Sequence, residues 1–198
     1  KVISIFFFKQ KTAYEMNLIK TKIEDLVIIE PKIFTDDRGY FFESYNKKKL
    51  EVLTGKQYNF VQDNESKSSY GVIRGLHYQL APYSQAKLVR VLKGKVYDVA
   101  VDLRKNSPTF GEWVGVELSA ENKRQFLIPK GFAHGFSVLS ETAVFTYKCD
   151  EYYHPEAEAG IIYNDSSLRI DWKVPEKDIK LSEKDKLLPE FGNAKMNF

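Results

Sequence analysis

The sequence predicts an all-β chain folded as a sandwich or barrel. Short segments alternate apolar and polar residues at period two and recur at close spacing. Helical periodicity is scarce, and turn signals separate the segments. No repeat, low-complexity tract or linker interrupts residues 16–198, so these predict one domain.

Residues 1–15 (KVISIFFFKQKTAYE) stand apart. Their apolar run, residues 2–8, is far short of the roughly 20 residues a membrane span needs, and it lacks the small-residue cleavage signal of a secretory peptide. The stretch resembles translated non-coding or adapter sequence, with Met16 as the start. It predicts an extraneous or disordered extension. From Ile23 onward short strands are expected. Residues 39–45 (GYFFESY) are aromatic and extended. Residues 47–54 predict a short helix, with Gly55 just past its end. Residues 64–71 form a turn-rich polar stretch before a strand at 72–79. Residues 87–92 alternate, and Lys93-Gly94 marks a turn. Residues 96–103 alternate cleanly: Tyr97, Val99, Val101 and Leu103 share one face, while Val96, Asp98, Ala100 and Asp102 share the other. That pattern predicts a half-buried strand. Asn106-Ser107-Pro108 is a loop. Further strands are expected at 113–118, 124–128, 135–139 and 142–148. Residues 175–188 predict one or two helical turns, and Ser182 followed by Asp185 resembles a capping pattern.

Composition narrows the function classes. The chain has 198 residues, enough for a core. It is 43% hydrophobic and 14% aromatic, which excludes a disordered composition. Lys plus Arg number 30 against 27 Asp plus Glu, a net charge of +3. That excess is small and evenly spread, unlike a nucleic-acid binder's, yet it permits an anionic ligand held by local cations. One cysteine, Cys149, excludes an internal disulfide and fits a reducing cytoplasm.

The three histidines are His77, His134 and His154. His134 lies in Pro129-Lys130-Gly131-Phe132-Ala133-His134-Gly135, which has the Pro-x-Gly-x-x-His pattern of the second cupin motif. A cupin is a small jelly-roll β-barrel. Metal-binding cupins draw ligands from a His-x-His pair, a later Glu and this second His. Here His77 is followed by Tyr78 and Gln79, so the pair is missing. Two imidazoles alone hold a first-row metal poorly. The expectation is a barrel with no metal and no cofactor.

Residues 16–188 resemble the dTDP-4-dehydrorhamnose 3,5-epimerase family of the cupin superfamily. The resemblance rests on colinear segments: residues 37–44 (DRGYFFES), 60–64 (FVQDN), 74–77 (RGLH), 87–90 (KLVR) and 129–136 (PKGFAHGF). Tyr147-Lys148, Tyr152-Tyr153, and Leu181-Ser182 with Lys184-Asp185 complete it. It implies a cupin-type jelly-roll barrel with a few short flanking helices. It also implies a cytoplasmic homodimer, with strand exchange near the N-terminus, acting on a dTDP-4-keto-6-deoxy sugar.

The implied chemistry has physical logic. A carbon beside a ketone is acidic because its anion spreads onto the carbonyl oxygen. Epimerisation then needs a base on one face, an acid on the other, and positive charge near the developing enolate. A ketone at C4 activates both C3 and C5. The resemblance makes His77 the base, since histidine titrates at roughly pH 6.5. It pairs His77 with Asp185, which would fix the tautomer and stabilise the cation. It makes Tyr147 the acid and sets Lys87 against the C4 oxygen. On residue type alone, His77 could be a core histidine, Tyr147 a packing residue and Lys87 a solvated one. Arg38, Arg74, Lys184 and His134 match positions that contact nucleotide or sugar, as do Glu43, Gln62, Asn64, Glu158 and Tyr153. Arg74 and His77 lie three apart, so a regular strand would place them on opposite faces; a bulge at Gly75 would turn both inward. Competing readings are an epimerase of one centre, a ketoisomerase, or a non-catalytic sugar-nucleotide binder. Tyr147 separates double from single inversion, and the joint presence of His77, Asp185, Lys87 and Tyr147 argues against pure binding.

Overall fold

A computed structural model describes residues 16–198, so the expectation for residues 1–15 lies outside the described residues. The strands are β1 (Met16–Lys20), β2 (Val27–Pro31), β3 (Phe34–Asp36) and β4 (Gly39–Phe41). After helix α1 (Lys47–Thr54) come β5 (Gln62–Ser69), β6 (Ile73–Gln79), β7 (Lys87–Lys93), β8 (Lys95–Asp102) and β9 (Trp113–Ser119). Then follow β10 (Gln125–Ile128), β11 (Phe132–Val138), β12 (Thr142–Cys149), β13 (Glu158–Gly160) and the short helix α2 (Glu183–Lys186). They build a six-stranded sheet, β1-β2-β10-β7-β12-β5, and a five-stranded sheet, β13-β6-β11-β8-β9. β3 and β4 form a separate two-stranded ribbon. Every ladder is antiparallel. This is the expected all-β jelly-roll.

The sheets face each other across Val89, Val91, Phe126 and Phe145 on one side and Val96, Ala100, Phe136 and Val138 on the other. Removing a ring as deeply packed as Phe145 costs roughly 3–5 kcal/mol. Both outer faces are covered as well. On the six-stranded sheet, Leu50 of α1 and Tyr58 pack on Val27, Ile29, Leu88 and Leu127. Asn46 caps α1 by accepting from the Lys49 amide at 3.1 Å, and Gly55, expected just past the helix, ends it at φ 68°. On the five-stranded sheet, Ile161, Leu168 and Trp172 of the C-terminal segment cover Ile73, Leu76, Tyr78, Val99 and Val101.

That cover corrects one expectation. The strand at 96–103 is buried on both faces, because the C-terminal segment seals its outer side and its polar positions point into the barrel; Asp98 and Asp102 are both 0% exposed. A second correction concerns residues 64–71, most of which belong to β5. β5 is an edge strand paired only to β12, and its inward residues, Gln62, Asn64, Ser66 and Ser68, are polar. Apolar alternation is therefore absent from a true strand. The extended stretch at 39–45 shortens to β4, and residues 42–45 leave the ribbon to lie against the six-stranded sheet. The capping expectation at Ser182 holds: its hydroxyl accepts from the Asp185 amide at 3.1 Å.

Candidate active site

The barrel interior is apolar at one end and polar where β5, β6 and β13 meet. β6 is irregular there. His77 pairs with His134 and Arg74 with Phe136, so two residue steps on β11 (134 to 136) face three on β6 (77 to 74). The extra residue is taken up at Gly75, with φ +120°; a Cβ there would lie 2.5 Å from Gly135 Cα and 2.7 Å from the His134 carbonyl. The bulge brings Arg74 and His77 to the same side, as the spacing argument required. Arg74 Nε donates to Ser68 Oγ of the opposing sheet at 3.0 Å.

The C-terminal segment supplies the partner of His77. The Lys180 amide donates to the Gly71 carbonyl at 2.9 Å and the Ile73 amide to the Lys180 carbonyl at 3.0 Å, pinning the segment beside the start of β6. α2 follows and carries Asp185. His77 Nε2–H donates to Asp185 Oδ1 at 2.6 Å, leaving Nδ1 for a ligand. Burial pushes the Asp185 carboxyl up, but the hydrogen bond and charge of His77, with the Ser182 bond, together hold it below the ordinary carboxylate range.

The six-stranded sheet presents Tyr147, Lys87, Asn64 and Gln62 from across the barrel. Asn64 pairs with Tyr147 and Cys149 with Lys87, so all of these face inward. Lys87 Nζ lies 5.8 Å from the Tyr147 ring centroid. Burial pushes the Lys87 ammonium down and the Tyr147 phenol up. Gln62 Nε2 donates to Asn64 Oδ1 at 3.0 Å, and Gln62 Oε1 accepts from the Tyr153 amide at 3.0 Å. At the rim, Glu158 Oε2 accepts from Tyr153 Oη at 2.8 Å and from Lys184 Nζ at 2.5 Å. Burial raises the Glu158 carboxyl, yet Lys184 and Tyr153 outweigh it and keep it low.

Arg38 and Glu43 are not brought to this cluster. Arg38 is 90% exposed and paired with Asp36 at 2.5 Å, while Glu43 accepts from Asn46 at 2.7 Å and pairs with Lys49 at 2.5 Å. Their segment lies on the outer face of the six-stranded sheet: the Arg90 guanidinium sits 5.8 Å over the Phe42 ring, and Gln125 Nε2 donates to the Ser44 carbonyl at 2.7 Å. Among the described residues, no three His, Cys, Asp or Glu side chains gather as a metal cage.

The family model for dTDP-4-dehydrorhamnose 3,5-epimerase matches residues 20–193. The chain belongs to the dTDP-4-dehydrorhamnose 3,5-epimerase family. It is 59% identical to the Shigella flexneri enzyme of that name over 170 residues, which is 86% of this chain and 93% of that one. A solved structure of the Elizabethkingia anophelis epimerase is 62% identical, with a TM-score of 0.87, over 90% of this chain and 97% of that one. The Legionella pneumophila epimerase, solved with dTDP-4-keto-L-rhamnose, is 57% identical at TM-score 0.87, over 90% of this chain and 94% of that one. The chain is thus an isomerase of the epimerase type.

One buried acid of this epimerase has no place in the sequence-predicted site. Asp98 receives His134 Nε2–H at 3.0 Å on each carboxylate oxygen. Its signal was present: it alternates with Val96 and Ala100, both of which are core. An acid on an apolar face points inward, and an inward acid needs a partner.

Proposed function

We propose that the chain converts dTDP-4-dehydro-6-deoxy-D-glucose to dTDP-4-dehydro-L-rhamnose by inverting C3 and C5. Residues 16–198 act as one cupin-type domain without metal or cofactor. The observation that carries this reading is the opposition of the two sheets. The His77–Asp185 pair comes from one and Tyr147 with Lys87 from the other, so a sugar ring between them meets a base on one face and a phenol on the other.

His77 Nδ1 takes the proton from the carbon beside the ketone, and the C–H electron pair moves onto the C4 oxygen as an enolate. Asp185 stabilises the imidazolium formed. The Lys87 ammonium faces the enolate oxygen, where charge in a dry site is worth several kcal/mol of barrier. Tyr147 delivers a proton to the opposite face of the carbon and is refilled from solvent. Inversion at the second carbon uses the same ketone. Arg74, His134, Gln62 and Asn64 hold sugar and diphosphate, and Tyr153, Glu158 and Lys184 form the rim that receives the nucleotide.

Arg38 and Glu43 can join this set only across a subunit boundary, since one chain keeps them on its outer face. A homodimer in which each ribbon serves the partner's barrel accommodates both. We place it in the cytoplasm, where a thiol such as Cys149 stays reduced.

Turnover of the dTDP-4-keto-6-deoxy sugar in deuterated water, followed by NMR, tests the reading. Solvent label at both C3 and C5 of an inverted product is expected. Label at one carbon only would make the chain a single-centre epimerase, and label at neither would remove the epimerase reading.

A further inference from the structure

We infer that Asp98 is a positioning residue for the proton transfer: buried inside the barrel, it fixes the orientation and the tautomer of the His134 ring. This rests on the epimerase reading above. Asp98 is 0% exposed and flanked on β8 by Val96 and Ala100 of the core. A carboxylate in such surroundings is costly unless it is bonded and balanced. Its hydrogen bonds come from one atom, His134 Nε2, equidistant from both oxygens at 3.0 Å. The His134 ring lies near-parallel to Phe145, with centroids 6.0 Å apart and planes at 21°, which restricts its rotation. With Nε2 committed to Asp98, Nδ1 is the nitrogen left to meet a ligand. His134 stands directly opposite His77 in the β6–β11 ladder, so that ligand is the one His77 acts upon.

The same carboxylate favours the charged form of Lys87, which burial opposes. On its other side Asp98 meets Val116 of β9, an apolar residue, so its hydrogen-bond partner is His134 of β11.

The test compares wild type with Asp98→Asn, an isosteric change that removes the charge. The variant should lose on the order of 10- to 100-fold in kcat/KM, and its ¹⁵N-histidine spectrum should show His134 no longer held with its proton on Nε2. A kcat/KM within about threefold of wild type, or a fall with the His134 tautomer unchanged, overturns the proposal. A second measurement does not depend on the variant folding. In the wild type with ¹⁵N-labelled histidine, NMR should show His134 protonated at Nε2 at neutral pH; a proton on Nδ1 alone contradicts the assignment. Failure of wild-type turnover would sink the epimerase reading instead, and the histidine spectrum reports on Asp98 separately from it.

Discussion

Two histidine–carboxylate pairs occupy neighbouring strands of one sheet and are built differently. The His77 side chain is 31% exposed and its carboxylate partner 6%, whereas His134 is 8% exposed and Asp98 0%. Asp185 arrives from the C-terminal segment, while Asp98 sits on the strand next to its histidine. Their carboxyls are displaced in opposite senses. Both are raised by burial, but the bonds from His77 and Ser182 bring Asp185 below its ordinary range, while His134 and Lys87 leave Asp98 above its own. A pair that moves a proton needs an open nitrogen and a carboxylate that stays charged as the imidazolium forms. A pair that holds a ring in place can be sealed. The difference between the pairs is therefore one of access and of how far hydrogen bonds offset burial, not of residue type.

Substitutions can break that contrast at either pair. The largest effect is expected for His77→Asn, on the order of 10⁴ in kcat with folding intact, since both inversions begin at this base. Circular dichroism and turnover measure it, and substantial residual proton exchange would remove His77 from its role. Asp185→Asn should cost on the order of 10³, because the amide no longer fixes the tautomer or balances the cation. Tyr147→Phe should lower net inversion by on the order of 10² while leaving hydrogen exchange faster than inversion.

The smallest effect on turnover is expected at Asp102, which makes it a control. It lies on the same inward face of β8 as Asp98, yet it accepts from Arg104, Ser107 and Thr109, a loop clamp that includes none of the candidate site residues. Burial raises its carboxyl, but those bonds bring it down to about 2. Its folded value is depressed, so its contribution is present above the unfolded carboxylate range and is lost as pH falls through about 2. Asp102→Asn should lose on the order of 2 kcal/mol near neutral pH, read by denaturant unfolding, with kcat per folded molecule unchanged. A fall in kcat would mean that buried acids on β8 cannot be separated by role.

Much of this was legible in the sequence because it rests on local chemistry. The strands β7 and β8 follow from their period-two alternation, and the end of α1 from Gly55. The bulge at Gly75 was open to inference, because Arg74 and His77 lie three apart and a glycine between them permits it. What was illegible depends on where a face points. The inward residues of β5 are polar because they line a ligand space, so the strand carries no apolar stripe. Nothing local announces that the C-terminal segment seals the outer face of β8, so the strand read as half-buried. Arg38 and Glu43 carry a motif but not a location, and the segment that bears them lies on the outer face of the six-stranded sheet.

The two-sided arrangement is tested most directly by Tyr147→Phe in deuterated water, with recovered sugar analysed at C3 and C5. Deuterium is expected at a carbon whose configuration is unchanged, because His77 still removes and returns the proton from its own face. Recovery of unlabelled sugar, or inverted product at the wild-type rate, would contradict the placement of base and acid on opposing sheets.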